Sequence, residues 1–399
     1  MTGYDIVLVG LQPYDSDIGT NTINIAEEFS KQNRVLYVNY PLDKKSFRLD
    51  KHLPNVQKRA KMRSKEIPNL LEVKPNLWNL YPNSLLESIN GIPLTSIFRI
   101  FNYFNNKKFA ADIQEAINTL GFKDFILFND TVMLRGFHLQ EFLKPKMSIY
   151  YTRDNMMSVP YWYKHGRVLE PILMAKSELV CANSTYLAEI ASEYNKNTFY
   201  VGQGCDISAF DPNKQVEKPK DIAHLKGPII GYIGTLFTLR LDINILKEIA
   251  THPSNWTVVL IGPEDEVFKR SELHNLPNVH FLGFKESSEL PTYLKYFDVA
   301  INPQILNPTT IGNYPRKVDE YLAMGKPVVA TETKAMSIFK DHTYLAKSAE
   351  EYVSLIEKAL IENSPQLEAQ RIKFARSHTW ENSVKEIYKA IQIVNPNIN

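Results

Sequence analysis

The apolar positions of the chain form short strand-like runs that alternate with helical patterns. In the first half, residues 21–31 carry a helical pattern between two apolar runs. The runs that predict strands lie at 6–9, 34–39, 125–128, 147–151 and 178–182. A strand, a helix and a second strand in succession form a βαβ unit, which implies a parallel sheet. This half is therefore predicted to be a doubly wound α/β domain.

A second series of the same kind follows a polar, proline-containing segment at 211–221, which is typical of a linker. Its predicted strands lie at 228–233, 257–261, 280–282, 299–302 and 327–331. Ligands of such sheets bind beyond the carboxyl ends of the strands. The loops that begin at Gly234, Gly262 and Gly283 are therefore expected to surround one site.

Length and composition are consistent with two globular domains. A chain of 399 residues exceeds one ordinary core, which favours two domains of about 200 residues. No run of about 18 apolar residues is present, and the first residues lack the features of a signal peptide, so a cytoplasmic location is expected. Cys181 and Cys205 are the only cysteines, and their spacing supports neither a disulfide framework nor a zinc site.

Positive charge is concentrated in one segment. Residues 44–65 hold nine Lys or Arg against one acid, Asp50, and an aromatic and basic run follows at 97–109. Such a surface suits anionic lipid headgroups or a phosphate-bearing acceptor. The alternative is a solvated loop followed by an ordinary amphipathic helix. Nucleic acid is not an expected partner, because the rest of the chain is balanced in charge.

The segment 231–240 places glycines directly after a strand and before a helix. Gly234 and Thr235 can bring backbone amides close to phosphates at a helix N-terminus. The spacing lacks the full G-x-G-x-x-G pattern, which disfavours a nicotinamide enzyme. Arg240 is positioned to clamp a diphosphate, or is simply a surface arginine.

The most informative segment is 315–329, where a predicted helix opens after Pro315. Lys317 and Glu320 lie three residues apart on one face of that helix. The cation can meet a diphosphate together with free helix amides, and the carboxylate can accept two ribose hydroxyls. The alternative is an intrahelical ion pair on a solvated face.

The run Pro-x-Lys-x-x-Glu-Tyr-Leu-Ala-x-Gly-Lys-Pro-Val-Val at 315–329 resembles the donor-site signature of family 4 glycosyltransferases. It is equally similar to that of related polysaccharide and teichuronic-acid glycosyltransferases. Further matches follow the family's order: the hinge at 201–212, the second C-terminal strand at 258–263, the nucleobase loop at 279–284 with Leu290, and the start of the last helix at 379–381.

The resemblance implies the GT-B fold, with two Rossmann-like doubly wound domains facing a central cleft. The expected boundaries are 1–205 for the acceptor domain and 206–378 for the donor domain, followed by a helix at 379–399 that crosses back. Such an enzyme moves a sugar from a UDP- or GDP-sugar to a saccharide or lipid-linked saccharide in cell-surface polysaccharide biosynthesis. It needs no cofactor or metal, and transfer retains the anomeric configuration. Association with the inner face of the cytoplasmic membrane is also expected.

Carried onto this chain, the resemblance assigns the donor to residues of the second half. Glu320 binds the ribose, Arg240 and Lys317 hold the departing diphosphate and act catalytically, and Phe284 with Leu290 contacts the base. Many members have a second glutamate eight residues before the first, where this chain has Gly312. That departure leaves the transferred sugar and the stereochemical outcome open, and it makes a catalytically idle sugar-nucleotide-binding protein an alternative. A sugar-nucleotide epimerase or hydrolase of the same fold is the alternative enzyme.

In the first half, residues 148–155 resemble a Tyr-Asp-x-x-Asp segment of the teichuronic-type relatives. Asp154 matches the second aspartate, and Tyr151 replaces the first. Asp154 is predicted to act as a general base or to bind acceptor hydroxyls, with helix capping as the alternative. His138 is a further acceptor-site candidate, although a lone histidine beside apolar residues is usually structural.

The first βα loop carries Asp15 and Asp17, spaced as in the metal motif of the other major glycosyltransferase fold. Its position favours a loop that caps a helix or meets the acceptor instead of a metal. Asp17 and Thr20 are therefore predicted to contact the acceptor, and Gly19 the donor.

Overall fold

A computed structural model of the chain describes residues 1–16 and 20–398. The chain divides into two compact units. The first unit comprises Met1–Gly202 with Ser383–Asn399, and the second unit comprises Gln203–Asn382. Each unit is an α/β sandwich around one sheet, because its central strands are apolar on both faces and need helices on either side.

The first unit holds eight strands among its described residues. They are β1 (Asp5–Gly10), β2 (Arg34–Val38), β3 (Leu70–Lys74), β4 (Leu77–Leu80), β5 (Ile126–Asp130), β6 (Met147–Thr152), β7 (Leu179–Ala182) and β8 (Thr198–Tyr200). The helices that cover them are α1 (Asn21–Ser30), α2 (Lys44–Leu49), α3 (Pro54–Arg63), α4 (Thr95–Leu120), α5 (Leu139–Leu143), α6 (Pro160–Lys176) and α7 (Thr185–Ser192).

The strand order of this sheet is β3-β4-β2-β1-β5-β6-β7-β8, and only β3 runs antiparallel to its neighbour. The chain adds strands first on one side of β1 and then on the other, so the order reverses between β1 and β5. Crevices at such reversal points bind ligands in open α/β sheets. The end of β1, at Gly10, and the end of β5, at Asp130, therefore mark the expected crevice of the first unit.

The second unit contains a six-stranded sheet within its described residues. Its strands are β9 (Ile229–Ile233), β10 (Thr257–Ile261), β11 (Val279–Phe281), β12 (Val299–Asn302), β13 (Val328–Thr331) and β14 (Tyr344–Ala346). Its helices are α8 (Ile243–Thr251), α9 (Glu266–Lys269), α10 (Leu290–Lys295), α11 (Arg316–Ala323), α12 (Ala349–Glu362) and α13 (Pro365–Ala375).

All strand pairs of the second sheet are parallel, in the order β11-β10-β9-β12-β13-β14. Numbered within the unit, this is the order 3-2-1-4-5-6 of nucleotide-binding Rossmann sheets. Leu260 and Val259 point to opposite faces, where each is fully buried in a separate apolar core. Burial of each such side chain contributes about 1.5–3 kcal/mol, which makes the sheet a rigid platform for the loops at its edge.

The last helix, α14 (Trp380–Val394), starts among the residues of the second unit and ends in the first. In the first unit it packs on α1, where the ring of Tyr388 stacks on that of Phe29 with centroids 5.6 Å apart. The polar segment 211–221, predicted as a linker, belongs to the second unit. The hydroxyl of Tyr296, which follows α10, donates to the carbonyl of Val216 in that segment at 2.7 Å. No helix in the described part of the chain is long and apolar enough to cross a bilayer.

Candidate functional site

Three glycine turns lie side by side at the carboxyl ends of β9, β10 and β11. Gly234, Gly262 and Gly283 all have positive φ, at 142°, 143° and 65°. The amide of Gly234 donates to Ile261 and that of Gly262 donates to Gly283, both at 2.8 Å. A Cβ on Gly262 would overlap the carbonyl oxygen of Gly234. At Gly234 and Gly262 the close packing requires glycine, whereas a Cβ on Gly283 would meet nothing within 4 Å.

The loop after Gly234 is held on both sides, which fixes the position of Arg240. The hydroxyl of Thr238 and its backbone amide both donate to Asp265 at 2.8 Å. The carbonyl of Arg240 accepts from the amide of Ile305 at 3.0 Å. The guanidinium of Arg240 is exposed and has no ion pair or hydrogen bond within the described residues. It is therefore available to an anionic ligand, and Thr235 is exposed beside it.

Lys317 approaches the same turns from the first turn of α11. Its ammonium group lies 3.9 Å from the centroid of the Tyr232 ring and donates to the Tyr232 hydroxyl at 2.5 Å. A Cβ on Gly234 would overlap this ammonium group. The space that the ammonium occupies therefore exists because residue 234 has no side chain. Glu320 follows one helical turn later, partly buried.

The charges of these two residues are poorly compensated. Desolvation lowers the pKa of Lys317 to about 7; the carboxylate of Glu320 opposes this shift and the charge of Arg240 adds to it. Desolvation also raises the pKa of Glu320 to about 6, opposed by Arg316 and Lys317. Within the described chain, the Glu320 carboxylate accepts no hydrogen bond. A diphosphate would supply a counter-charge for the cations, and a ribose would supply donors for the carboxylate.

The orientation of α11 is fixed by buried polar contacts that the sequence did not predict. Tyr321 accepts from the amide of Ile233 at 2.9 Å through its hydroxyl and donates to the same residue's carbonyl at 3.2 Å. Asp319 is fully buried, bonded to His378 at 2.7 Å and accepting from Tyr314 at 2.8 Å. One signal was available: a helical spacing of three and four puts Asp319 on the same face as apolar residues 322 and 323, where a carboxylate needs partners.

The two predicted base-contacting residues occupy different environments. Phe284 follows Gly283 and is 68% exposed, so its backbone and ring are accessible at the edge of the glycine turns. Leu290 opens α10 and packs against the apolar core beneath the sheet. Gly312, at the position of the second family glutamate, is buried.

In the first unit, Asp154 belongs to a charged group at the carboxyl ends of β5 and β6. Arg153 donates through Nε to Asp130 at 3.0 Å and through Nη1 to Asp154 at 3.1 Å. Asp130 is fully buried and also accepts from the Thr22 hydroxyl, whereas the Asp154 side chain is 50% exposed. The group lies at the strand-order reversal of this sheet, with Asp154 as its solvent-facing carboxylate.

Two other first-unit candidates, Thr20 and His138, have local structural partners. Thr20 caps α1, and its hydroxyl accepts from the amide of Ile23 at 3.3 Å. His138 precedes α5 and lies 3.4 Å from the carboxylate of Glu141. Asp17 and Gly19 lie outside the described residues.

Metal ligands are not clustered in the described residues: no group of three or more His, Cys, Asp or Glu side chains could hold an ion. Asp15, from the predicted Asp-x-Asp triplet, pairs with Lys58 at 2.5 Å.

The basic segment predicted at 44–65 forms α2 and α3. Lys44 pairs with Glu87 at 2.5 Å, and Arg59 donates to the carbonyl of Tyr40 at 2.9 Å. The side chains that form no ion pair or hydrogen bond within residues 1–16 and 20–398 are those of Lys45, Arg48, Lys51, Lys61 and Lys65. About half of the predicted basic surface is therefore free to meet an anionic partner.

Comparison with known proteins shows that part of the chain is similar to glycosyltransferases. Residues 227–362 match the family model described as Glycosyl transferases group 1. The putative teichuronic acid biosynthesis glycosyltransferase TuaH of Bacillus subtilis is 30% identical over 250 residues. That match covers 59% of this chain and 62% of TuaH, which is less than two thirds of its length. The resemblance inferred from the donor-site signature is confirmed.

Solved structures share the fold over the whole chain. Sucrose-phosphate synthase from Thermosynechococcus elongatus is 15% identical, with a TM-score of 0.67. The match covers 99% of this chain and 100% of the synthase chain. HepE from Anabaena in complex with UDP is 14% identical with a TM-score of 0.64, covering 98% of this chain and 100% of its own. At these identities the likeness shows the fold alone, and it confirms the predicted GT-B class.

Proposed function

We propose that this chain is a glycosyltransferase that moves a sugar from a UDP- or GDP-sugar to a saccharide or lipid-linked saccharide, in cell-surface polysaccharide biosynthesis. The observation that carries the proposal is the group formed by Arg240, Lys317 and Glu320 beside three glycine turns. These side chains have unmet charge or hydrogen-bonding capacity at the reversal point of a Rossmann-ordered sheet. The family match at 227–362 covers the same residues.

The proposed chemistry depends on departure of the nucleoside diphosphate. Lys317 and Arg240 offset the negative charge that develops on the leaving phosphate, as a metal ion does in other transferases. The carboxylate of Glu320 holds the ribose and so fixes the nucleotide in register with those cations. No metal ion or cofactor is part of the proposal. Because HepE is known in complex with UDP, UDP is the first nucleotide to test.

Retention of the anomeric configuration is the proposed outcome, as the family resemblance implies. The position of the second family glutamate holds Gly312, so the transferred sugar lacks that carboxylate contact. Asp154 is the proposed acceptor-binding carboxylate. If it acts as a base on the acceptor hydroxyl, inversion follows instead. The anomeric coupling constant of the product, measured by NMR, distinguishes the two outcomes.

The proposal is tested first by thermal shift with a panel of UDP- and GDP-sugars, since a bound ligand raises the melting temperature. The sugar nucleotide with the largest shift is then used in a transfer assay with wild type, Lys317→Ala and Glu320→Ala. Lys247→Ala is the matched control, because Lys247 pairs with Glu272 on the surface of the same unit. Transfer is expected in wild type and control only. Equal turnover in all four proteins eliminates the proposed donor site.

A second candidate function is favoured by Gly312. Without the second carboxylate, the chain binds a sugar nucleotide without reaction. An epimerase of the same fold, which acts on the sugar nucleotide alone, is the alternative enzyme. Product analysis with and without acceptor separates these functions. An epimerase changes the sugar in both conditions, a transferase makes a new glycoside only with acceptor, and an idle protein shows a thermal shift without any product.

We also propose that the first unit docks on an anionic membrane surface, at the inner face of the cytoplasmic membrane. The exposed face of α4 supports this proposal with Ile97, Ile100, Phe101 and Phe104, which are 43–60% exposed. Their spacing of three and four residues forms one apolar stripe. Anionic headgroups would be attracted by the unpaired cations of the basic segment, which are Lys45, Arg48, Lys51, Lys61 and Lys65. Each cation near the membrane surface contributes about 1 kcal/mol of binding free energy.

Liposome flotation tests the membrane proposal with vesicles of phosphatidylglycerol and of phosphatidylcholine. Ile100→Asp and a variant with Arg48, Lys51, Lys61 and Lys65 changed to Glu are expected to lose binding to the anionic vesicles. Ile393→Asp is the control, because Ile393 is 65% exposed on α14 of the same unit. Binding by both variants at the level of wild type rejects the proposal.

A further inference from the structure

The chain passes twice between its two units, after residue 202 and again after residue 382. The segments of the second unit beside these two crossings, termed the crossing pair, are 203–206 and 377–382. The backbone amide of Cys205 donates to the carbonyl of His378 at 2.9 Å, which joins the two segments. A Cβ on Gly204 would overlap the ring of Trp380, so the segments are also in close contact. The crossing pair is therefore one structural element.

The crossing pair is bonded to the first turn of α11, the helix that carries Lys317 and Glu320. The Nδ1 atom of His378 lies 2.7 Å from a carboxylate oxygen of Asp319. The thiol of Cys205 donates to the carbonyl of Arg316, the first residue of α11, at 3.8 Å. Each of the two segments therefore holds the start of this helix through a bond of its own.

Asp319 is a fully buried carboxylate on a helix whose other buried residues belong to an apolar core. Burial raises its pKa, while the bonds to His378 and Tyr314 oppose that shift. Stability alone does not require such a group, because well-packed apolar side chains commonly replace a buried polar pair without loss. The bonds of Asp319 instead specify one orientation of α11. Lys317 and Glu320 extend from the same short helix, so the same bonds fix their positions.

We infer that His378 is a positioning residue of the proposed donor site, and that it couples nucleotide binding on α11 to the order of the crossing pair. The inference rests on the proposed transferase function. A nucleotide bound by Lys317 and Glu320 restricts the motion of α11. The bond between Asp319 and His378 passes that restriction to the carbonyl that holds Cys205. Because such coupling is reciprocal, loss of the bond to α11 weakens nucleotide binding.

Three variants separate this role from packing. His378→Leu keeps an apolar side chain beside the Phe374 ring but removes the bond to Asp319. His378→Asn retains a side-chain N–H donor. His342→Leu is the matched control, because His342 packs on the same Phe374 ring, with centroids 4.1 Å apart against 4.5 Å for His378. The ring of His342 forms no hydrogen bond within the described part of the chain.

The first measurement is the affinity for UDP, or for GDP if UDP does not bind, by calorimetric titration. His378→Leu is expected to bind about tenfold more weakly than wild type, whereas His378→Asn and His342→Leu bind about as tightly as wild type. Equal affinity in wild type and His378→Leu overturns the inference and leaves the donor site standing. If wild type binds neither nucleotide, the donor-site proposal fails and the coupling fails with it.

Hydrogen exchange at the amide of Cys205 supplies a readout that a merely structural role of His378 would not change. Saturating nucleotide is expected to slow exchange in peptides that cover 203–206 about fivefold, in wild type and in His342→Leu. In His378→Leu, at a nucleotide concentration raised to saturate the weaker site, this slowing is expected to be lost. A folded His378→Leu protein that keeps the slowing overturns the inference.

A double variant keeps the test valid if His378→Leu does not fold. Asp319→Leu combined with His378→Leu removes both partners together, so no carboxylate is left buried without its partner. The double variant is expected to show the same loss of nucleotide affinity and of nucleotide-dependent slowing at 203–206. Wild-type behaviour of the double variant in both measurements overturns the inference.

Discussion

The ammonium group of Lys317 lies 3.9 Å from the centroid of the Tyr232 ring, beside a glycine turn that leaves no room for a Cβ. An aromatic face attracts a cation but supplies no counter-charge. The site therefore holds Lys317 in place while leaving its charge available, which is the property that binding of a phosphate requires.

UDP affinity is expected to have a maximum between about pH 6 and pH 7. The pKa of Glu320 is raised to about 6 and that of Lys317 is lowered to about 7 in the free protein. Ribose binding needs the carboxylate form of Glu320, and diphosphate binding needs the ammonium form of Lys317. From pH 7 to 8.5 the affinity is expected to fall roughly tenfold, because the ammonium form is then a small minority. Calorimetric titration of UDP across this range measures the profile.

Two variants show which residue causes the loss of UDP affinity on each side of the pH maximum. Lys317→Met is expected to bind UDP more weakly and to lose the alkaline limb, whereas Glu320→Gln loses the acid limb. The same pH profile in wild type and both variants would show that other groups control nucleotide binding.

Lys317→Met is also expected to stabilise the protein at pH 7, by about 1 kcal/mol after allowance for the partial exposure of Lys317. The pKa of Lys317 is depressed in the folded state, so between about pH 7 and its ordinary value near 10.4 the unfolded chain binds more protons. The stability of wild type therefore rises with pH relative to the variant, and the gain shrinks toward pH 10. Urea unfolding at pH 7 and pH 10 tests this, and a gain that grows with pH contradicts it.

The three glycine turns are expected to respond differently to alanine. Gly262→Ala should cost about 2–4 kcal/mol of unfolding free energy for two reasons. The new Cβ would overlap the backbone of Gly234, and alanine would have to adopt a φ that is unfavourable for it. Gly234→Ala should cost about 1–3 kcal/mol of backbone strain and should also displace Lys317, which lowers UDP affinity.

Gly283→Ala is the matched control for the other two glycines, since a Cβ there meets nothing within 4 Å. Its expected cost is about 1 kcal/mol, from the left-handed backbone alone. Thermal unfolding and UDP titration of the three variants test this ranking. Equal effects at all three positions would contradict the geometry of the turns.

Substitutions of Asp130 and Asp154 are expected to affect different properties, although both residues pair with Arg153. The first should reduce stability and the second should reduce transfer. Asp130→Ala leaves a buried guanidinium without its main partner and should cost about 3–5 kcal/mol. Asp154→Ala should change stability by about 1 kcal/mol or less, because its carboxylate is 50% exposed, but should reduce transfer. Urea unfolding and the transfer assay measure both effects. Full transfer by a folded Asp154→Ala protein removes Asp154 from the acceptor site.

Most strands of the two sheets could be predicted from the sequence, because the central strands are apolar runs, several of them bounded by glycine or proline. The runs at 257–261 and 299–302 coincide with β10 and β12. The hairpin of β3 and β4 was missed because β3 is largely exposed and so lacks an apolar run. The strand β14, with three residues, is too short to leave a periodic signal.

The site could be predicted only in part. The resemblance indicated Lys317 and Glu320, whose spacing is local to one helix. Tyr232 was not predicted, because its contact with Lys317 joins residues 85 positions apart. The pairing of Asp319 with His378 spans 59 positions and was missed for the same reason. Contacts of this kind are products of the tertiary fold and leave no pattern in a single sequence.

Binding of the donor at α11 is tested most directly by a crystal structure of the chain with the nucleotide that gives the largest thermal shift. Diphosphate oxygens are expected at hydrogen-bond distance from Lys317 Nζ, about 2.7–3.2 Å, and ribose hydroxyls are expected to bond to Glu320. A nucleotide bound elsewhere, with neither residue in contact, would contradict it.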